Sequence, residues 1–357
     1  MIGRRHQVAL ALTALLAAAA ACQNQERKEP AATAHPAPPA ARGFTLVASG
    51  DILPHTSVLE RANYDAGGNG YDFRPMLAAV QPVVARADLA LCHLETLSAQ
   101  PALTPPPQLA WDLAAAGYDG CSTASDGSLD DGIRAALSAM DQAGLRHAGT
   151  ARSEDEARTV TLLRAGPAKV AHLSYPYDTD ENLMIADARA ARRAGADVVV
   201  VSIRWGTSWQ DAPDQRQLSL AQDLTASKTA GRPDVDLILG THTHVPQAYE
   251  KVNGTWVVYG LGDQIAGETT NPGGARDSRG DESTVGRFTF AAPARPGGRW
   301  EVTRAEFLPQ IYDVDAGRVV DLGRAIAGGA ELTAARDRVR DVVLSRGAAE
   351  SGLVAGR

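Results

Sequence analysis

The chain is poor in cysteine, in positive charge and in long apolar runs, and each shortage closes off a class of protein. Only three cysteines occur in 357 residues, and Cys22, Cys92 and Cys121 form no Cys-x-x-Cys spacing, which excludes zinc-ribbon and dithiol redox motifs. Basic residues do not outnumber acids. The formal net charge is -7, and loss of Arg4 and Arg5 with the leader described below takes it to -9, so nucleic acid and anionic lipid surfaces are not expected partners. The apolar run from Val8 to Ala21, about 14 residues, is too short to span the hydrocarbon core of a bilayer. No repeat of fixed period runs through the chain, which sets aside solenoids and propellers.

The amino terminus does hold Arg4-Arg5, that apolar core, and Cys22 after a run of alanines. This pattern predicts an export leader of lipoprotein type over residues 1–21, with the mature chain beginning at a lipid-modified Cys22. An ordinary leader that happens to include a cysteine is the alternative. Residues 22–42 are rich in proline and alanine with almost no bulky apolar side chain, so they cannot bury enough surface to fold and read as a spacer. A domain over residues 43–312 and a helical extension over 313–357 follow. Cys92 and Cys121 both sit in apolar runs. A disulfide is admissible outside the cytoplasm, and two buried free thiols on neighbouring strands are the expectation.

From Phe44 onward, strand-like runs alternate with amphipathic stretches: Phe44–Ser49, a helix over Phe73–Ala87, Asp88–Cys92, a helix over Pro107–Ala116, Gly120–Ala124 and a helix over Leu129–Ala143. After a strand-rich stretch over Thr159–Tyr175, the alternation resumes with Leu183–Ala194, Asp197–Ile203, Gln215–Ala226 and Val235–Leu239. Such βα alternation predicts parallel pairing in an α/β fold. Later the texture turns antiparallel, with Asn253-Gly254 as a hairpin signal between Ala248–Val252 and Thr255–Gly260 and further strands at Gly286–Ala292 and Trp300–Phe307.

In open α/β sheets ligands bind outside the carboxyl ends of the strands, and here those ends carry one kind of chemistry. They deliver Asp51, then His93-Leu94-Glu95, Ser125-Asp126-Gly127, Arg204-Trp205-Gly206, His242-Thr243-His244 and Gly262-Asp263. Singly, an aspartate there could cap the next helix or sit in a turn. Jointly, carboxylates and imidazoles crowded at one mouth repel or desolvate one another unless a cation holds them. Asp51, Glu95, Asp126, His242, His244 and Asp263 are therefore the expected metal ligands, and His93 and Arg204 the candidates for a catalytic part. In an extended segment, His242 and His244 point the same way. A mixed oxygen and nitrogen set suits Mn, Fe or Zn.

With these residues in order, Phe44 to Phe307 resembles the bacterial capsule-synthesis CapA family, also described as poly-γ-glutamate synthesis proteins and related to calcineurin-like metallophosphatases. The resemblance rests on Gly50-Asp51, His93-Leu94-Glu95-Thr96, Cys121-Ser-Thr-Ala-Ser125 with Leu129-Asp130-Asp131-Gly132, Trp205-Gly206, Gly240-Thr-His242-Thr-His244 and Tyr259-Gly-Leu-Gly-Asp263. It implies a four-layer α-β-β-α sandwich of the metallophosphatase type with mixed parallel and antiparallel sheets, and a dinuclear metal site at its mouth. It also implies an envelope role in synthesis, anchoring or release of an anionic capsule polymer such as poly-γ-glutamate.

The chain departs from the family where chemistry would be done. Asp126-Gly127 stand for Asn-His, Arg204 for a histidine, Ser208 for a glutamate, Asp263 for an asparagine, and Thr241 for a histidine. Gly127 has no proton to donate, and Arg204 has no lone pair with which to ligate a cation. These changes lead to the expectation of a degenerate site holding one divalent ion or none, with Arg204 pairing with Asp126 or Asp263 where a second ion would sit. An active phosphoesterase or amide hydrolase with a dinuclear site is the alternative; a solute-binding lipoprotein would leave the converging carboxylates unexplained. Arg204→His combined with Asp126→Asn and Gly127→His is expected to raise the number of divalent ions bound, counted by metal analysis. An unchanged count would mean that these residues do not sit at the second metal position.

Overall fold

The computed structural model describes residues 43–95, 105–124, 131–267, 270–295 and 297–357. The expected leader 1–21, the expected lipid-bearing Cys22, the expected spacer 22–42 and the motif residues Ser125, Asp126 and Gly127 lie outside them.

The chain builds one sheet, crosses to a second, and returns. Strands β1 (Gly43–Ile52), β2 (Leu89–Leu94), β3 (Gly120–Ser122) and β4 (Arg146–Ala148) lie side by side and parallel. The second sheet takes β5 (Thr161–Ala165), β6 (Ala168–Tyr175) and β7 (Val198–Arg204). After a small ribbon of β8 (Lys228–Thr229) and β9 (Arg232–Pro233), it is completed by β10 (Leu237–Thr241), β11 (Tyr249–Val252) and β12 (Thr255–Val258) in the order β11-β12-β10-β7-β6-β5. Then β13 (Asp263–Ile265), β14 (Glu282–Ala291), β15 (Glu301–Asp313), β16 (Arg318–Asp321) and β17 (Leu353–Ala355) rejoin the first sheet. In it, β1 runs parallel to β2 and β13 and antiparallel to β14.

Side-chain alternation explains the layering. Phe44, Leu46 and Ala48 of β1 and Leu89 and Leu91 of β2 meet Val170, Val198, Val200, Leu237 and Leu239 of the second sheet in one buried cluster. Their neighbours Val47, Ala90, Cys92 and Cys121 point to the other face, against Val58, Leu109, Leu113, Leu137 and Met140 of the helices. On the far side, Ala171, Val199, Val201 and Ile238 pack on Met184 and Ala188 of helix Glu181–Arg193 and on Leu220 and Leu224 of helix Gln215–Ala226. The result is the expected α-β-β-α sandwich with mixed sheets. A slip of one residue in any inner strand would exchange its faces, and each large apolar side chain so misplaced would forfeit about 1.5–3 kcal/mol.

Several details differ from the expectation, each for a local reason. The stretch Phe73–Ala87 forms two short helices, Arg74–Leu77 and Gln81–Val84, because Pro75 and Pro82 fit only the first turn of a helix. Cys92 and Cys121 are not free thiols: they are paired across β2 and β3 with a Cα separation of 4.4 Å and joined as a disulfide. Parallel neighbours in register place both sulfurs on the same helix-facing side. Residues 313–357 are more than a helical extension, since β16 and β17 both hydrogen-bond to β15 of the first sheet. The Asn253-Gly254 turn is the expected hairpin, with φ of 49° and 81°.

Gly240, in β10, lies where two elements press together. A Cβ there would sit 2.0 Å from the Tyr259 carbonyl oxygen and 2.3 Å from Trp205 Nε1; the Trp205 Nε1–H donates to that carbonyl at 2.8 Å under the site. Gly240→Ala is therefore expected to lower stability by about 1–3 kcal/mol, read as a shifted denaturant midpoint; an unshifted midpoint would contradict this packing.

Candidate metal centre

Parallel strands end on the same side, and five described ends meet there. Asp51 is in register with His93 on β2 and with Asp263 on β13, and Thr241, just before the histidine pair, is in register with Arg204 on β7. The chain changes sheets immediately before Asp263, and Gly262 passes so close to β1 that a Cβ on Gly50 would lie 1.9 Å from the Gly262 carbonyl oxygen. That carbonyl accepts the Asp51 N–H at 3.0 Å. The Gly50-Asp51 motif thus combines a backbone close approach with a carboxylate.

Asp51 is 1% exposed; its Oδ2 accepts the His242 backbone N–H at 2.7 Å, and its buried Oδ1 has no partner. Glu95 receives Arg204 Nη2 on Oε1 at 3.3 Å, and its Oε2 has none. His93 Nδ1 meets Ser122 Oγ at 2.8 Å, leaving Nε2 buried and unpartnered. His244 Nδ1 lies 3.1 Å from both oxygens of Asp263, and His242 Nε2 is 3.2 Å from Ser208 Oγ. Two groups have ligand atoms all within 4.8 Å of one another: Glu95, His242 and His244, and Asp51, His93 and Glu95. Three ligand atoms without a partner among the described residues, Asp51 Oδ1, Glu95 Oε2 and His93 Nε2, in a mixed oxygen and nitrogen set are what a divalent ion would satisfy.

The charges are poised for the same purpose. Burial, and then repulsion from Asp263 and Glu95, hold the Asp51 carboxyl well above its usual range, against the His242 N–H and His244. Burial would raise Glu95 too, but His93, Arg204 and the histidine pair outweigh it and the carboxyl is lowered. Burial keeps His93 neutral, with a pKa pushed down to about 4. For His244, burial opposes protonation, but Asp263, Glu95 and Asp51 overcome it and raise the ring to about 9. A carboxylate behind Nδ1 orients an imidazole so that Nε2 is left for a metal.

The structure redistributes some expected roles. Asp51, Glu95, His242 and His244 come together as expected, while Asp126 lies outside the described residues. Asp263 stands behind His244 and is absent from both ligand groups. Arg204 meets Glu95, and Asp263 is occupied by His244; the expected pairing of Arg204 with Asp126 lies outside the described residues. The histidine pair is not extended: His242 and His244 have φ of 84° and 61°, and their rings approach to 5.6 Å through two left-handed kinks. His93, taken at first only as a catalytic candidate, sits among the ligand groups. Its i, i+2 spacing from Glu95 carried the same signal as His242 and His244. Ser122 was missed as the support of His93; a serine ending a buried strand has no distinguishing sequence mark.

A two-sheet sandwich with carboxylates and imidazoles converging at one mouth defines a mixed α/β protein with a candidate metal centre. The profile of the family described as bacterial capsule synthesis protein PGA_cap matches residues 45–268, more than half of the chain, and the chain belongs to that family. It is 41% identical over 70 residues to the PGA biosynthesis protein CapA of Bacillus subtilis (strain 168), covering 20% of this chain and 17% of that protein. With the capsule biosynthesis protein CapA of Bacillus anthracis it shares 32% over 81 residues, covering 23% and 18%. The chain thus spans less than a fifth of the length of these relatives. Among solved structures, the sulfate thiohydrolase SoxB of Thermus thermophilus, in complex with glycerol, superposes with a TM-score of 0.42 at 14% identity, covering 87% of this chain and 61% of that one.

In metal-free protein, raising the pH from 7 through about 9 removes the His244 proton, so metal affinity is expected to rise over that interval. Asp263→Asn removes the main partner that opposes burial, leaving only Glu95 and Asp51 against it, and should lower the His244 midpoint from about 9 in an NMR titration. It should also weaken metal binding about 10–100-fold. A midpoint still near 9 would show that Asp263 does not set this proton.

Proposed function

We propose that this protein is an envelope protein of the CapA type, held on the outer face of the membrane by a lipid on Cys22 or released as a secreted form. Its role is in synthesis, anchoring or release of poly-γ-glutamate or a similar anionic capsule polymer. Its site holds one divalent ion, Mn, Fe or Zn, and retains the polymer with little turnover. Family membership supports the capsule role. The single observation that carries the one-ion reading is the Arg204–Glu95 pair, whose side chains are only 11% and 5% exposed. A permanently charged guanidinium buried beside Glu95 adds a fixed positive charge where a second cation would have to bind.

Either of the two groups, Glu95 with His242 and His244 or Glu95 with Asp51 and His93, would hold the ion, which when bound would supply Lewis-acid attraction for a carboxylate, phosphoryl or amide oxygen. The chain's own residues do the rest. Asp263 fixes the His244 tautomer and ring plane, Ser122 fixes His93, and the Asp51–His242 hydrogen bond locks the two sheets at the mouth. Gly127 offers no side chain for proton donation at its position.

The alternative, a phosphoesterase or amide hydrolase with a dinuclear site, is favoured by one observation. His93 is neutral and has an unpartnered Nε2 beside Asp51 and Glu95, as a general base would require. Metal analysis and titration with Mn²⁺ and Zn²⁺ should find one tight site per chain. A chelator should lower the melting temperature, since a ligand at a hundred times its Kd contributes about 2.7 kcal/mol. Two tight sites, or robust cleavage of a phosphodiester or γ-glutamyl substrate that is lost in His93→Gln, would overturn the proposal in favour of the hydrolase.

A further inference from the structure

A second cleft, of about 540 Å³, opens between the end of β4, helix Glu154–Ala157, the end of β6 and the start of helix Glu181–Arg193. Its size is that of sites for ligands of several dozen atoms, and both signs of charge line it. Arg146, an exposed lining residue, has no carboxylate partner among the described residues. Asp141 and Glu156 share one guanidinium, that of Arg152. His147, 3.6 Å from each of them, is kept from full protonation by burial, so one cation faces two anions there. Asp187, which accepts the Tyr175 hydroxyl at 3.0 Å, adds a further carboxylate. Leu183, 52% exposed, supplies apolar surface on the same lining.

A purely anionic chain would meet this excess of carboxylates, and a purely cationic group would leave Arg146 unsatisfied. A group bearing an ammonium and a carboxylate on one carbon satisfies both. We propose that this cleft binds an amino-acid head group, its carboxylate on Arg146 and its ammonium on the acidic side.

A second observation joins the cleft to the metal centre. His172, 1% exposed, lines the cleft; its Nε2 meets Ser202 Oγ at 2.9 Å and its Nδ1 has no partner. Ser202 in turn lines a small cavity with His93 and Ser122. A head group in the cleft would therefore lie one hydrogen-bonded pair away from the wall of the metal site. If the polymer reading above holds, on which this step rests, the ligand is the amino end of the polymer. A γ-linked glutamate chain ends in a residue whose ammonium and carboxylate share the α-carbon, whereas an α-linked chain has converted that carboxyl to an amide.

Isothermal titration of the purified chain with γ-glutamyl-glutamate, α-glutamyl-glutamate and N-acetyl-γ-glutamyl-glutamate tests the assignment. The γ-linked dipeptide is expected to bind, and the other two at least about tenfold more weakly, as loss of a charge-assisted hydrogen bond predicts. Arg146→Gln and Asp187→Asn should each weaken the γ-linked dipeptide about tenfold, with Arg146→Gln leaving the melting temperature unchanged. Arg164→Gln, an exposed arginine outside the cleft lining, should leave dipeptide binding intact. Equal binding of all three compounds, or indifference to both cleft variants, would overturn the inference. Long polymer that binds through the metal site while no dipeptide binds would overturn the cleft and leave the proposed function standing. Dipeptide binding with no binding of long polymer would support the cleft and remove the polymer reading.

Discussion

The carboxylate of Asp51 holds the two sheets together at the point where chemistry is possible. It sits at the end of β1 in the first sheet, and its Oδ2 accepts the backbone N–H of His242, which follows β10 in the second. That bond spans 191 positions of sequence and is partly buried; on the Asp51 side, where the carboxylate is buried, an unpaired group would cost about 1–3 kcal/mol. Everything else at the mouth is arranged around it. Gly50 and Gly262 let the crossing strand reach β1, and Asp263 arrives in register with Asp51.

The same carboxylate makes the site electrostatically unfinished. Asp51, Glu95 and Asp263 are each nearly or fully buried, and burial disfavours their charged forms. Arg204 answers Glu95 and a protonated His244 answers Asp263, but Asp51 Oδ1, Glu95 Oε2 and His93 Nε2 have no hydrogen-bond partner among the described residues. Buried polar groups are ordinarily paired. Backbone strain gathers at the same place: of the five non-glycine residues with positive φ among the described residues, Trp209, His242 and His244 stand here. Each such conformation costs about 1–3 kcal/mol and persists where a site demands it.

Much of the fold was legible because short apolar runs of strand length, as in β2 and β7, took turns with amphipathic helical stretches. The Asn253-Gly254 hairpin was readable because few residues other than Asn and Gly accept left-handed φ. The helix over Phe73–Ala87 was overextended because its apolar spacing continued past Pro82, although a proline can only begin a new helix there. The thiols of Cys92 and Cys121 could not be paired by spacing alone, since register between β2 and β3 decides whether two sulfurs meet.

For the site, the sequence by itself determined which chemical types reach the strand ends: carboxylates, imidazoles and one guanidinium, in a fixed order along the chain. That follows from local physics, because strand ends are set by short-range pattern and each end delivers the residues next to it. Only the tertiary structure decided who faces whom. Arg204 met Glu95, His244 met Asp263, and His93 joined a candidate ligand group, because such pairings depend on register between strands and on the crossing at Gly262. No local pattern encodes distances between segments far apart in the chain; the packing of two sheets across one core sets them.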